Sequence, residues 1–369
     1  MTQGDKIRQA REIRALTQQE LADKIGKGNT VIAQLERGFR EPSPELLESI
    51  AMAMGFPLTF FIAPPHIEFP ISEVIFRAKS GISRKAILAA VRYAEHVFNI
   101  ARVLSRRLKR IPVTIQPLSG NPVLAARHIR QAMKIGPLEP VYNLVRMLER
   151  AGVWCFALPE LEDGDAFCLW MESGDGDIPI IAVSAKAPAD RLRLSVAHEL
   201  GHLVLHRGLM LRPRKEIEEE AFAFAAEFCL PARAMEQELI GPVTLTALAR
   251  LKLRWGISIA SLARRSHELK LITTRHYHYL FQQLSIKGWK AHEPDQLNVP
   301  VEKPRLLRNM AELVYGFPIN YARFAAEVYL SEQELRSIMA LYTDRKELAQ
   351  EDLPPKGKVM NFPSNRALS

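Results

Sequence analysis

Residues 193–206, Arg-Leu-Ser-Val-Ala-His-Glu-Leu-Gly-His-Leu-Val-Leu-His, constrain the chain more than any other stretch. They read as an apolar, buried helix. On a helix His198 and His202 lie one turn apart on one face, so both imidazoles can bind a single metal ion. Glu199, next in line, can reach a water on that ion and take its proton. Gly201 leaves room beside the metal at a cost of roughly 1 kcal/mol of helix propensity against alanine. The spacing is H-E-x-x-H. A lone buried histidine is usually a hydrogen-bonded core residue, but two at i and i+4 around a glutamate point to a metal site.

Residues 216–231 read as a second helix, acidic at its start, apolar later and stopped near Pro231. A zinc site needs a further protein ligand, which a carboxylate on a nearby helix can supply. The acidic run can also be a solvated helix start that complements the dipole, the reading favoured for Glu219 and Glu220. His206, one turn past His202, either competes as a ligand or lines the site at the helix end.

The run R-L-x-L-S-V-A-H-E-L-G-H-L-V-L-H, followed by E-x-E-A-F-x-F-A-A-E-F-C-L-P, resembles the ImmA/IrrE family of metallopeptidases. The resemblance implies a zincin-like fold, Zn²⁺ held by His198, His202 and Glu218 in gluzincin fashion, and Glu199 as the catalytic base. In that family an Asn follows the Ala of E-x-x-A-N-x-F-A, but here the position is Phe222. Polar support for a metal ligand is then missing or supplied elsewhere.

The N-terminal residues 4–55 are patterned as helices throughout. Thr17-Gln18-Gln19-Glu20 is a capping box, Gly26 permits a left-handed turn, and a short helix follows from about Gly28 to Glu36. Two short helices across a tight turn, braced on either side, form a helix-turn-helix, whose second helix enters the major groove. The run from Ile7, I-R-x-A-R-x-x-x-x-L-T-Q-Q-E-L-A-D-K-I-G-K-G-N-T-V-I-A-Q-L-E-R-G-x-R-x-P-S-P-E-L-L, resembles the Cro/C1-type (XRE) family. The resemblance implies that Thr17 and Gln18 touch phosphate, that Lys27, Asn29, Thr30 and Gln34 face the groove, and that Arg37 and Arg40 flank it. Asn and Gln can pair bidentately with adenine, and Lys can reach guanine or phosphate. A helical bundle used for protein contact is the plainer alternative.

Charge bears on that choice. The chain's formal net charge is +9, yet residues 1–60 carry 8 basic and 8 acidic side chains, while residues 77–135 carry 13 basic and 1 acidic. Residues 82–110 read as one long helix with an apolar stripe, its arginines and lysines lying off that stripe. These form either a solvated face or phosphate contacts that offset the neutrality of the helix-turn-helix.

Residues 121–150 suggest two helices broken at Gly136-Pro137. Strand-like runs follow at 153–157, 166–170 and 178–183, with turn signals at 163–165 and 174–176. These predict a small antiparallel sheet whose edge could hold an extended peptide. Helices at 245–255 and 259–271 form another helix-turn-helix-like pair, read as scaffold over the site rather than as a second DNA reader. Residues 305–315 and 320–342 read as helices before a polar, disordered end.

The three cysteines form no C-x-x-C, no leader is visible and no apolar run approaches a membrane span, so a cytoplasmic protein with no membrane partner is expected. The expected fold class is α+β and mostly helical: an all-α helix-turn-helix domain (1–60), a linker and basic helix (61–135), a zincin-like domain (136–290) and a C-terminal extension (291–369). The expected function is a homodimeric regulator that binds a double-stranded DNA operator. Its zinc peptidase would cleave a repressor, an antitoxin-like partner or the chain itself in stress response, prophage or toxin–antitoxin control. The alternative is a non-catalytic regulator whose metal domain is a sensor.

Overall fold

The computed structural model describes residues 3–64, 67–70, 83–159, 166–172, 176–208 and 212–343. The expected turns at 163–165 and 174–175, the linker beyond residue 70 and the polar end after residue 343 lie outside those residues.

The N-terminal head packs helices α1 (Gln3–Ile13), α2 (Gln18–Lys24), α3 (Asn29–Glu36), α4 (Pro44–Met54) and α5 (Leu58–Ile62) around Ile7, Ala10, Leu21, Ile32, Leu35 and Ile50. Both halves of the capping box form: the Glu20 amide donates to Thr17 Oγ1 at 3.1 Å, and the Thr17 amide donates to Glu20 Oε2 at 2.5 Å. Gly26, at φ 63°, makes the left-handed turn between α2 and α3.

Helix α6 (Arg84–Ser105) is the pillar behind the head, shorter at both ends than the periodicity suggested. It buries Ala94, Val97, Phe98, Ala101 and Leu104. Two of its basic residues are taken up by the head: Lys85 pairs with Glu20 at 2.8 Å, and buried Arg92 pairs with Glu12 at 2.7 Å and with Glu95 at 2.9 Å. Within the head, Glu36 pairs with Arg11 at 2.5 Å. The neutrality of residues 1–60 thus has a structural cause, because several of the head's acids are spent on α6 and on internal pairs. Arg84, Arg106 and Lys109 stay exposed.

After α7 (Pro122–Ala132) and α8 (Leu144–Arg150) come β1 (Trp154–Leu158), β2 (Ala166–Met171) and β3 (Ile178–Ser184). The strand order is β1-β3-β2, with β2 antiparallel to β3 and β1 parallel to it, Trp154 lying opposite Ile180. The sheet is therefore mixed, and the expectation of an antiparallel sheet holds only for β2–β3. Periodicity reports which faces of a strand are covered, not its direction. The unbroken apolar run of β1 marks a strand covered on both faces, as parallel strands usually are.

The sheet divides two cores. Trp154, Phe156, Leu169, Ile180 and Ala182 face the core that contains the head and α6. Cys155, Cys168, Ile181 and Val183 face the other, built on α9 (Ala189–Leu205), α10 (Arg214–Cys229), α11 (Ala232–Glu238), α12 (Leu245–Trp255), α13 (Ile259–Glu268) and α14 (Thr274–Ile286). Alternation along β2 and β3 assigns neighbouring residues to opposite cores, whereas β1 ends with Phe156, Ala157 and Leu158 all in the first.

The C-terminal helices α15 (Leu306–Tyr315), α16 (Tyr321–Glu327) and α17 (Glu332–Ala340) complete the first core. The single helix expected over 320–342 is two, because Ser331 caps α17 by accepting from the Glu334 amide at 3.2 Å. Buried Tyr342 reaches the outer strand, its hydroxyl accepting from the Ala157 amide at 3.0 Å. Among the described residues no helix is long and apolar enough to cross a membrane.

Glu149 ties α8 to this extension. Its Oε1 accepts from the Arg305 and Leu306 amides, each at 2.8 Å, at the start of α15. Burial pushes its carboxyl up from 4.5 to about 7 against the pull of those two amides. The folded state therefore holds a proton that the unfolded chain has released, and stability falls as pH rises from about 4.5 to about 7. Glu149→Gln keeps the acceptor oxygen and removes the titration. Denaturant titrations at pH 5 and pH 7.5 should show a decline in wild type that exceeds the variant's by up to roughly 3 kcal/mol. Equal pH slopes would contradict this.

Candidate metal centre

Helix α9 carries no internal proline, and its buried residues run Leu192, Arg193, Val196, Ala197, His198, Leu200 to Leu205. It crosses α10 closely, and Gly201 is the reason. A Cβ there would lie 3.1 Å from Phe224 Cδ1 and 3.3 Å from Ala221 Cα. Gly201 thus makes room for the backbone of α10 rather than for the metal, as first expected. Glu218 sits one turn before Ala221, so this close crossing carries it to the two histidines.

The resulting cluster is tight. His198 Nε2 and His202 Nε2 are 3.1 Å apart, His198 Nε2 and Glu218 Oε2 3.2 Å, and His202 Nε2 and Glu218 Oε1 3.5 Å. A tetrahedral zinc ion with ligand bonds near 2.0–2.1 Å needs its donors about 3.3 Å apart. The triangle has that size before any ion enters, and the donor set of two imidazoles and one carboxylate suits zinc. It is the only group of three or more potential ligands found among the described residues. His198 and His202 are buried, whereas the Glu218 side chain is 25 % exposed, so the cluster opens to solvent on the Glu218 side. Burial pushes the Glu218 carboxyl up, but the hydrogen bond to His198 and the adjoining His202 imidazole outweigh it and hold the group far below the ordinary range. Glu199 is half-buried beside the pair.

Behind His202 lies a chain of polar contacts that sequence reasoning missed. His202 Nδ1 is 3.0 Å from His206 Nδ1, and His206 Nε2 is 2.9 Å from Glu220 Oε2. Arg212 donates to both Glu220 oxygens, at 2.9 and 2.7 Å. Arg212 foremost, with His206, holds the Glu220 carboxyl at about 2. Burial lowers His206 to about 4, so its ring is neutral near pH 7. An ionised carboxylate only accepts, so His206 carries its proton on Nε2 and its Nδ1 accepts in turn. His202 then holds its proton on Nδ1 and turns the Nε2 lone pair toward Glu218 and His198. That is the tautomer a metal ligand needs. Glu220 is therefore no mere solvated helix start, and His206 stands behind the cluster rather than in it. The fourfold spacing of His198, His202 and His206 was the available signal. Glu219, by contrast, is exposed opposite Lys215 at 3.9 Å.

His198 has no such support. Its Nδ1 is buried without a hydrogen-bond partner among the described residues, and the Phe222 ring lies 4.3 Å from its ring. The departure noted in the sequence thus falls directly on a candidate ligand.

The surrounding scaffold locks α9 in place. Buried Arg193 donates to Glu302 Oε1 at 2.7 Å and to the Trp255 carbonyl at 2.6 Å, passing over Gly256 where no side chain would fit. Lys252 pairs with Asp190 and Glu293, each at 2.5 Å. In the pair α12–α13, Ile259, Leu262, Ala263 and Arg265 of the second helix are buried, and Arg265 donates to Glu227 at 2.5 Å and to the Leu230 carbonyl at 3.0 Å. Trp170 on β2 donates from Nε1 to the Leu203 carbonyl at 3.0 Å, and Arg207 lies over its ring at 4.7 Å while pairing with Asp177. Further along, His276 Nε2 donates to the Val243 carbonyl at 2.7 Å.

Gly201→Ala tests the helix crossing. It gains about 1 kcal/mol of propensity, yet overpacking costs about 1–3 kcal/mol. We expect net destabilisation in denaturant titrations together with weaker zinc binding in a chelator competition. Unchanged zinc affinity would separate the crossing from the site.

On the head, Thr17, Lys27, Asn29, Thr30, Gln34, Arg37 and Arg40 are all exposed. Thr30, Gln34 and Arg37 follow at i, i+4 and i+7 on one side of α3. Gln18 is half-buried and donates to Glu36 at 2.8 Å, so part of its amide is already engaged. Gly28 precedes α3 without a side-chain cap, which leaves the first amides of that helix open to a phosphate.

Comparison with known proteins agrees with both halves. Residues 7–61 match the Helix-turn-helix family, and residues 148–267 match the M78 peptidase family, described as the IrrE N-terminal-like domain. No curated protein matches the chain. The head, with its capped α2, left-handed turn and exposed α3, is therefore an XRE-type helix-turn-helix DNA-binding domain, and the chain joins it to an IrrE N-terminal-like domain of the M78 peptidase family.

Proposed function

We propose that this protein is a transcriptional regulator that binds an operator through its head and cleaves a protein through a zinc-dependent peptidase centre. The cleaved protein is a repressor, an antitoxin-like partner or the chain itself, and the setting is cytoplasmic stress, prophage or toxin–antitoxin control. The observation that carries the reading is the donor triangle, sized for tetrahedral zinc and held on a chain with an XRE-type head.

In this reading His198, His202 and Glu218 hold the ion, and the Glu220–His206 chain keeps His202 in the correct tautomer. Zinc, when bound, supplies Lewis acidity that makes a water nucleophilic and polarises a carbonyl. Glu199 takes the proton of the attacking water and passes it to the leaving amine nitrogen. The outer edge of β2, beside Trp170 and Arg207, offers backbone groups for an extended peptide. Thr17 and Gln18 contact phosphate, Lys27, Asn29, Thr30 and Gln34 read the groove, and Arg37 and Arg40 flank it. The head works as a dimer on a palindromic site. The segments around α6 and the C-terminal helices, which share one core with the head, form its support.

A second reading has a specific observation behind it. The unsupported Nδ1 of His198 beside Phe222 favours a metal domain that senses or binds without turnover. One paired experiment separates the two: genome-wide mapping of bound sites with the full chain, and comparison of protein abundance between cells carrying wild type and Glu199→Gln. Palindromic sites plus a protein that persists only in the variant support the peptidase. Sites bound with no protein changed would leave the sensor, and no bound sites would defeat both.

A further inference from the structure

A cavity of about 310 Å³, remote in sequence from the metal ligands, lies where the head meets its support. Lys6 and Gln9 of α1, Phe60 of α5, Arg102 and Val103 of α6, and Tyr329 after α16 line it. Pockets of this size at domain seams commonly take small ligands.

Its chemistry is specific. Lys6 is buried, with its Nζ 5.1 Å from the Phe60 ring centre. Burial lowers its ammonium to about 8 against the opposing pull of Glu95, so it remains a cation near pH 7. Gln9 is only 2 % exposed. Its Nε2 donates to Glu95 Oε1 at 2.9 Å, which fixes the amide's orientation because a carboxylate can only accept. Gln9 Oε1 is then left without a hydrogen-bond partner among the described residues, and such buried acceptors are rare in folded proteins. Phe60 and Val103 supply an apolar wall, and Arg102 adds a second cation. The one acid in the lining, Glu327, is already bound by Arg107 at 2.5 Å, by Arg323 at 3.2 Å and by the Tyr315 hydroxyl at 2.9 Å. Tyr329 is held at φ 59°, a left-handed conformation that non-glycine residues seldom adopt and that ligand clamps often store.

We propose that this cavity is an effector site for a small organic carboxylate that carries a hydroxyl group and an apolar body. Lys6 and Arg102 take the carboxylate, Gln9 Oε1 accepts from the hydroxyl, and the apolar body lies on Phe60. The occupant touches the head on one side and α6 and the turn after α16 on the other. It thereby sets how the head is held and changes operator affinity. This coupling rests on the reading of the head as operator-binding, whereas the binding site itself does not.

The test is thermal unfolding of the full chain with four probes. Phenyllactate has all three features, hydrocinnamate lacks the hydroxyl, 3-phenylpropanol lacks the charge and inorganic phosphate lacks the apolar body. Phenyllactate at saturating millimolar concentration should raise the midpoint by about 2 °C or more. The others should do less. Lys6→Met removes the cation and Val103→Trp fills the space, and each should abolish the shift while its own melt reports that it folds. A midpoint unmoved by phenyllactate, moved equally by phosphate, or moved as in wild type in both variants overturns the site. Binding with unchanged operator affinity overturns the coupling. Failure of the head to bind any DNA would remove the operator reading and leave the thermal titration to decide the site.

Discussion

Glu199→Gln is expected to leave zinc in place and cut proteolysis roughly 10²–10⁴-fold, the range for loss of a general acid–base. The reason lies in the division of labour along α9 and α10. His198, His202 and Glu218 form the donor triangle, with edges of 3.1, 3.2 and 3.5 Å, and Glu199 is not part of it. The amide of Gln matches the carboxylate in shape but cannot take a proton from water at neutral pH. Glu218→Ala should do the opposite and release the metal. The two are separable by elemental analysis and by melting. With zinc at a thousandfold excess over Kd, wild type and Glu199→Gln should each gain about 4 kcal/mol, and Glu218→Ala far less. Equal loss of zinc from both variants would contradict this division.

Phe222→Asn is expected to raise zinc affinity roughly 10–100-fold, the usual worth of a hydrogen bond behind a ligating histidine. When His198 binds an ion through Nε2, its proton must sit on Nδ1, and that nitrogen is now buried with no acceptor. The Phe222 ring stands 4.3 Å away, so an amide oxygen on the same Cα is within reach of filling the gap. The Phe222 side chain is about half exposed, so its loss should cost little stability. Phe222→Ala is the control, since it removes the ring without adding an acceptor. A fluorescent chelator competition reads all three proteins. If Phe222→Asn binds zinc no better than Phe222→Ala, the missing hydrogen bond is not what limits the site.

Much of the head and of the metal cluster was legible in the residues. Helical spacing put His198 and His202 on one face, the capping box at Thr17 and the turn at Gly26 fixed α2 and α3, and composition shifts located the basic pillar. Resemblance, not spacing, singled out Glu218 among the acids of α10, and the fold then brought it to the histidines. Other features were not legible because they depend on partners distant in sequence. Spacing put His206 on the face of His202, but nothing near Glu220 foretold that it would bind His206 and Arg212. Nothing near Arg92 showed that Glu12 would bury it. The parallel pairing of β1 with β3 was hidden, because a strand's pattern records burial and not direction.

Local sequence determined the helices, their caps and the two histidines one turn apart, since these depend on contacts within four residues. Tertiary structure alone decided the rest. The crossing at Gly201 brought Glu218 to the histidines, and the fold set which histidine is braced and which is orphaned. It also decided where the head's acids are spent and that a cavity opens beneath the head. Those outcomes depend on distances between chain segments 14 to 320 residues apart, such as His206 with Glu220 and Arg14 with Glu334. Such distances are set by packing, which no short stretch of sequence encodes.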